Sequence, residues 1–347
     1  MTNATLEVIG GVDTHADSHV LAMIDQLGRL LAVQSFPSTA QGCRDLLAAL
    51  TAAGPVRAVG VEGTGSYGAR LARLLTAADV SVIEVDRPDR KARRSRGKSD
   101  PIDAEAAARA VLAGTATGTP KTRTGPVEAI RALRSTRSGA VKARTAALNA
   151  LTGGARNAVE PVADQLTGAT TTRELVRAVL ALDLTGDRRD PAVATRISLA
   201  RLAQRITHLD AEITDADKDL RSLTQATAPD LCARPGVGPE VAAQLLITAG
   251  DNPHRISNDA AFASLAGVAP LLASSGKTRR HRLSRAGDRQ ANRALHTVVL
   301  SRMSHDERTR AYVVRRTAEG LSKREIIRCL KRYVARELLP LLHAANA

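Results

Sequence analysis

Only five of the 347 residues are aromatic and none is tryptophan, which narrows the kinds of core this chain can build. Phe36, Tyr67, Phe262, Tyr312 and Tyr333 are too few to fill the space between packed layers. The core must come from Ala, Val, Leu and Ile. The same scarcity argues against the aromatic base-stacking sheets that many RNA-binding modules present. The length suffices for two or three domains with cores of their own.

Residues 6 to about 86 read as alternating strands and helices. Leu6–Asp13, His19–Asp25 and Leu30–Phe36 are short apolar runs with polar or glycine breaks, the pattern of a three-strand meander. Thr39–Ala53 has helical spacing through Leu46, Leu47 and Leu50. Val56–Glu62, Tyr67–Ala78 and Val80–Val85 then read as strand, helix and strand. That order is the order of an α/β ribonuclease-H-like (RuvC-like) domain. From Pro101 to about Ala155 the chain is alanine-rich and helical, with Leu133, Val141, Leu148 and Leu151 as expected seam positions and a break at Gly153-Gly154. A second long helix is expected from about Pro191 to Gln225, where Ile197, Leu199, Leu202, Ile206, Leu209 and Ile213 recur every three or four residues. Together they suggest a helical coiled-coil middle or a simple bundle. After Pro229, Pro235-Gly236-Val237-Gly238-Pro239 reads as a tight turn opening a helix, whose free N–H groups either hold a phosphate or serve only the turn. The expected domains are 1–115, 116–228 and 229–347, the last mostly α.

Four carboxylates stand out against this frame. Asp13 ends one apolar run and Glu62 another, so each is carried to a strand end. Asp100 and Asp103, three apart at the start of a helical stretch, share one helix face. Gly63-Thr64-Gly65 after Glu62 permits a sharp turn. Any one of these would ordinarily be a cap or a surface group; four in this order point to a site. Hard divalent cations take oxygen ligands of this kind, and they drive phosphoryl transfer. Asp17, Asp25 and Glu84 lie less well and read as surface groups.

The formal net charge of +15 is localised. Residues 276–337 hold eighteen Lys/Arg and six Asp/Glu, and residues 87–98 hold seven Lys/Arg and one Asp. Such segments are the footprint of a polyanion partner; a solvated basic surface is the plainer alternative. Three scattered cysteines suit neither a metal knuckle nor a disulfide framework, and no apolar run is long enough to span a membrane. A reducing bacterial cytoplasm, near the nucleoid, is the expected location.

The second basic segment contains Ser274-Ser275-Gly276-Lys277-Thr278-Arg279-Arg280-His281-Arg282. A serine before glycine, among cations, could attack a phosphate whose charge those cations stabilise. Equally, it could do no more than donate a hydrogen bond to phosphate.

Gly11-Val12-Asp13, Val61-Glu62-Gly63-Thr64-Gly65-Ser66-Tyr67, Lys98-Ser99-Asp100-Pro101-Ile102-Asp103-Ala104, Pro235-Gly236-Val237-Gly238 and Leu265-Ala266-Gly267-Val268-Ala269-Pro270 together resemble the DEDD transposases of the insertion-sequence-one-ten type, the group that includes Piv-like DNA invertases. The resemblance implies a RuvC-like domain, a helical coiled region and a C-terminal transposase domain. It further implies an acidic tetrad of Asp13, Glu62, Asp100 and Asp103 binding Mg2+ or Mn2+, and a nucleophilic serine at Ser275, with Ser274 the neighbouring alternative. A structured bridge RNA pairing with donor and target double-stranded DNA, and a homodimer or homotetramer in which serine and acidic site meet between protomers, are implied as well. The expected function is therefore DNA strand exchange. A RuvC-like structure-selective endonuclease that uses water, and a non-catalytic nucleic-acid-binding scaffold, are the alternatives.

Arg93, Arg94, Arg96, Lys98, Lys277, Arg279, Arg280 and Arg282 are the expected polyanion contacts. Replacing Arg93, Arg94 and Arg96 together with Ala should flatten the dependence of nucleic-acid affinity on salt, because fewer counterions are released on binding. A titration over salt concentration measures this; an unchanged slope would place the segment away from the polyanion.

Overall fold

The computed structural model describes residues 7–85, 99–276, 280–282, 284 and 286–345, which form two compact units. The first unit comprises Met1–Thr124 with Gly250–Ser257, and the second Gly125–Ala249 with Asn258–Ala347. The first is a mixed α/β sheet structure and the second is mostly helical.

In the first unit β1 (Val8–Thr14), β2 (Ser18–Asp25) and β3 (Leu30–Pro37) pair antiparallel as the expected meander. The chain then crosses through α1 (Ala40–Ala52) to lay β4 (Val56–Glu62) parallel to β1. It crosses again through α2 (Ala69–Ala77) to lay β5 (Val82–Val85) parallel to β4. Parallel neighbours need such crossovers, whereas the first three strands need only short turns. The strand order is β3-β2-β1-β4-β5.

Because side chains alternate along a strand, each strand serves two faces. Val8 and Val12 of β1, Leu21 and Met23 of β2, and Val59 and Val61 of β4 join Leu46, Leu50, Leu71 and Leu75 in one core beneath α1 and α2. Ile9 and Ile24 point the other way, onto α3 (Asp100–Leu112), as do Val20 and Ala22. Gly11 and Gly60 are register partners across β1 and β4, and they belong to this second face by parity. A Cβ on Gly11 would lie 2.1 Å from the Ala104 carbonyl oxygen and 2.3 Å from the Ala108 nitrogen. On Gly60 it would lie 2.9 Å from the Ala107 oxygen. Helix α3 answers with alanines: Ala104, Ala107 and Ala108 are buried. Backbone therefore meets backbone at Gly11, while at Gly60 the side chains of Val111 and Val85 close in as well, at 2.8 Å and 3.0 Å from that Cβ.

Asp25, expected at the surface, is fully buried. Its carboxylate accepts from Leu27 N and Arg29 N at 2.9 Å each and from Arg29 Nε at 2.6 Å, closing the β2–β3 turn. Burial works against its charge, but these hydrogen bonds hold it below the usual carboxylate range. The sequence signal was Gly28, whose φ of +80° marks a tight turn.

The second unit is built on α4 (Pro126–Arg156) and α7 (Pro191–Thr227), with α5 (Glu160–Leu166) and α6 (Thr172–Leu180) at one end. Arg137 donates to Asp217 at 2.6 Å, and Arg144, seven residues on, pairs with Asp210, seven residues back. The pairing runs in opposite directions, so the two helices are antiparallel. Ala147, Leu151, Leu199, Ala203 and Ile206 are buried along the shared seam with Val162, Leu166 and Val179. The seam uses Ala140 rather than Val141, which is exposed.

Nor does α4 break at Gly153-Gly154. Helix runs through both to Arg156, and the interruption lies instead between α3 and α4, at residues 113–125. Gly154 is needed for closeness: a Cβ there would sit 3.0 Å from Leu199 Cδ2, while Gly153 faces open space. The rest of this unit comprises α8 (Pro229–Cys232), α9 (Pro239–Ala249), α10 (Asp259–Leu265), a hairpin of β6 (Leu271–Leu272) and β7 (His281–Arg282), α11 (Arg289–His305), α12 (Glu307–Ala318) and α13 (Lys323–Ala344). The turn before α9 holds Gly236 at φ +78°. Among the described residues, no helix is long and apolar enough to cross a membrane.

Two glycine substitutions should have opposite signs. Gly11→Ala forces a methyl into the α3 backbone and should cost at least the upper part of the range of about 1–3 kcal/mol typical of overpacking. Gly153→Ala meets nothing and should stabilise by about 0.5–1 kcal/mol through helix propensity. Denaturant unfolding of the two variants checks both; a neutral Gly11→Ala would refute the backbone-on-backbone contact.

Candidate active site

The acidic site is assembled by parity. Positions 9, 11 and 13 of β1 share a face, and so do 58, 60 and 62 of β4, which lies beside β1 in parallel register. Asp13 and Glu62 therefore extend the same two rows that carry Gly11 and Gly60. Helix α3 lies over those glycines, and its first turn carries Asp100 and Asp103. The close contact thus sets how near the helical aspartates come to the strand ends.

Asp13 and Asp103 are buried, at 5% and 6% exposure, while Asp100 is partly open. The carboxylates of Asp13 and Asp100 both face one ring nitrogen, His15 Nε2, at 3.1 Å and 3.3 Å. Candidate ligand atoms of Asp13, His15 and Asp100 all lie within 4.8 Å of one another. Glu62 and Asp103 are brought to the same face, but that three-atom cluster is made without them. His15 was not anticipated. The available signal was its parity with Asp13 at the start of the β1–β2 turn, where His15 N donates to Ser18 O. The nearby His19 is fully buried on the opposite face, with Leu21 and Met23; burial pushes its imidazole below the usual range.

The turn after Glu62 is braced from three sides. Thr14 Oγ1 donates to the Glu62 carbonyl at 2.7 Å, tying the ends of β1 and β4 together. Gly63 takes φ +71°, and Ser66 N and Gly68 N both return to its carbonyl. Buried Thr64 donates to Glu84 at 2.5 Å, so Glu84 supports the turn and is not a free surface group. Arg123 donates to the Gly65 carbonyl at 2.8 Å. Glu105 is engaged by Arg109, one helical turn along.

Chemically, this is a hard, oxygen-rich donor set with one imidazole, which fits a divalent cation of the Mg2+ or Mn2+ type.

The serine segment belongs to the second unit. Leu271 pairs with Arg282 and Leu272 with His281, and Ala273 N donates to Arg280 O at 2.8 Å. Ser274 and Ser275 follow β6 and are exposed, and Gly276 takes φ +54° with open space around it. Arg280 and Arg282 are exposed on the same hairpin. Arg93, Arg94, Arg96, Lys98, Lys277 and Arg279 lie outside the described residues.

Two family models match separate parts of the chain. Residues 10–154 match a DEDD transposase model of the IS110 type, and residues 229–314 match the model of the Transposase IS116/IS110/IS902 family. An insertion element IS110 protein of 43.6 kDa from Streptomyces coelicolor, described as uncharacterized, is 33% identical over 127 residues. That match covers 36% of this chain and 31% of the relative. With its acidic sheet edge under one model and its serine hairpin under the other, the chain belongs to the IS110 family of DEDD transposases.

Proposed function

We propose that this protein is a transposase that exchanges DNA strands by phosphoryl transfer. The observation that carries the reading is the shared face of Asp13, Glu62, Asp100 and Asp103, with Asp13 and Asp100 converging on one point. The strand order and the helix across one face support a ribonuclease-H-like reading of the first unit. When bound, Mg2+ or Mn2+ would supply charge neutralisation at the attacked phosphate and its leaving oxygen. Asp13, Glu62, Asp100 and Asp103 would hold it, with His15 beside them as a further ligand or a proton carrier.

Ser275 is the proposed nucleophile. Its Oγ attacks phosphorus, an Oγ–P bond forms, and the P–O bond to one deoxyribose oxygen breaks. The serine proton ends on the released hydroxyl. A hydroxyl of the new strand then reverses the step, so the phosphodiester is rebuilt without ATP. The cations Arg280 and Arg282 on the same hairpin would stabilise charge on the phosphate. A structured guide RNA selecting donor and target DNA, and a dimer or tetramer whose protomers complete each other's sites, belong to this proposal.

Asp100→Asn should bind Mn2+ at least about tenfold more weakly by calorimetry and lose strand exchange while unfolding as the parent does, because Asp100 is partly open and caps no core. Full activity in Mg2+ for that variant would defeat the metal assignment.

Trapping on a nicked DNA followed by peptide mass spectrometry should find DNA on Ser275. Ser275→Ala should lose that adduct and Ser274→Ala should keep it. An adduct on Ser274 alone moves the nucleophile by one residue. Metal-dependent cleavage that survives Ser275→Ala without any adduct would favour the water-using endonuclease.

A further inference from the structure

The second unit contains a cavity of about 540 Å3 between the serine hairpin and α13. Its size falls within the roughly 300–1,000 Å3 of pockets that enclose a ligand. Arg280, Arg282, Arg316, Arg328, Lys331 and Arg332 line it, against the single carboxylate of Glu325. That carboxylate lies 3.8 Å from Arg328 and also holds the start of α13. It accepts from Ser322 N at 3.0 Å and Ser322 Oγ at 2.7 Å in the capping box that opens α13. Asp259 takes Arg332, and Glu319 takes Arg316. Among the described residues, Lys331, Arg280 and Arg282 pair with no carboxylate.

Lys331 is the telling member. It is only 6% exposed, and its ammonium donates to Asn292 Oδ1 at 2.8 Å. Asn292 in turn donates to the Gly267 carbonyl at 2.7 Å in the opposite wall. That wall is closely packed: a Cβ on Gly287 would lie 2.2 Å from Gly267 N. Burial, with Arg328 adding repulsion, pushes Lys331 below the ordinary lysine range. A buried ammonium among guanidinium groups is costly unless an anion completes the site.

The rim adds a second observation. Tyr333 is half exposed and lines both this cavity and a neighbouring one. Tyr312 meets it edge-to-face at 5.7 Å between ring centroids, which orients its ring. The Arg315 and Arg316 guanidinium groups lie 5.4 Å and 5.9 Å from the Tyr312 ring centre. Tyr333 thus lines this cavity while resting against Tyr312, which lines the neighbouring one.

We infer that this cavity binds an unstacked nucleotide, with its phosphate against Lys331, Arg280 and Arg282 and its base on Tyr333. Duplex DNA presents its phosphates on a convex surface, which a buried lysine cannot reach. A single strand can lower one phosphate into the cavity and lay the adjoining base on an aromatic face, as single-strand-binding sites do. The inference rests on the reading of nucleic acid as the ligand; it shares Arg280 and Arg282 with the proposed serine chemistry and uses no residue of the acidic site.

The test uses the full chain and a short single-stranded DNA carrying one 2-aminopurine, an RNA of the same sequence, and the corresponding duplex. Single-strand binding should quench the probe. Tyr333→Ala should abolish the quench and weaken single-strand binding by about tenfold. Tyr333→Phe should restore both, and duplex affinity should not change. Lys331→Gln should weaken single-strand binding and reduce its salt slope by about one. Arg282→Ala, on the exposed hairpin, should act likewise if Lys331→Gln does not fold. Tighter RNA binding would assign the nucleotide to a guide, and tighter DNA binding to a displaced strand. Parental affinity and quench in Tyr333→Ala would overturn the inference, as would an equal loss on duplex. A parent that quenches the probe but forms no serine adduct would leave this site standing and remove the strand-exchange mechanism instead.

Discussion

Everything at the acidic site depends on a contact from which side chains are missing. Gly11 and Gly60 sit side by side on neighbouring strands, and α3 rests directly on their backbone. Any larger residue would lift the helix by the thickness of a methyl group or more. Close-packed interiors transmit such shifts rather than absorb them. The aspartates of α3 belong to its first turn, so they would move with it. The alanines facing the sheet complete the arrangement: in a chain nearly devoid of aromatics, close approach replaces bulk as the source of packing.

The second unit applies arginine to a task that composition alone does not separate from ligand binding. Arg134 and Arg137 clamp Glu240, while Arg137 and Arg144 reach across to Asp217 and Asp210. Arg302 holds Glu337, and Arg332 and Arg336 hold Asp259. Partly exposed pairs of this kind each contribute about 0–1 kcal/mol. Their spacing matters more than their strength, because pairs seven residues apart on both helices favour one register of α4 against α7. Part of the basic excess of residues 276–337 is therefore structural. Among the described residues, Arg280, Arg282 and Lys331 pair with no carboxylate and line one cavity.

Much of the first unit was legible because strands and crossover helices leave strong periodic marks. β4 is placed to the residue, and the remaining strands differ only at their ends. The order Asp13, Glu62, Asp100, Asp103 suggested a site because apolar runs that stop on a carboxylate, and aspartates three apart at a helix start, are readable without coordinates. His15 escaped because it stands past the apolar run, where the eye stops counting. Asp25 escaped because its partners are the backbone groups of its own turn, and a short local hydrogen-bonded loop looks polar and therefore exposed. The false break at Gly153-Gly154 has a different cause. Two glycines inside a long helix suggest an end, yet Gly154 is there to admit Leu199, and tertiary packing outweighs the local propensity. Val141 misled in the same way: the seam turned out to want Ala140, because closely approaching helices select for smallness.

The edge-to-face pair of Tyr312 and Tyr333 has a spectroscopic meaning. A chain without tryptophan emits only through tyrosine, and here there are three: Tyr67 in the first unit and these two in the second. At 5.7 Å the pair exchanges excitation freely, so a quencher reaching one ring silences both. Two of the three intrinsic emitters of this protein are therefore read out together, at one corner of one cavity. The molecule carries its own optical gauge of what occupies that corner, and no label has to be attached to read it.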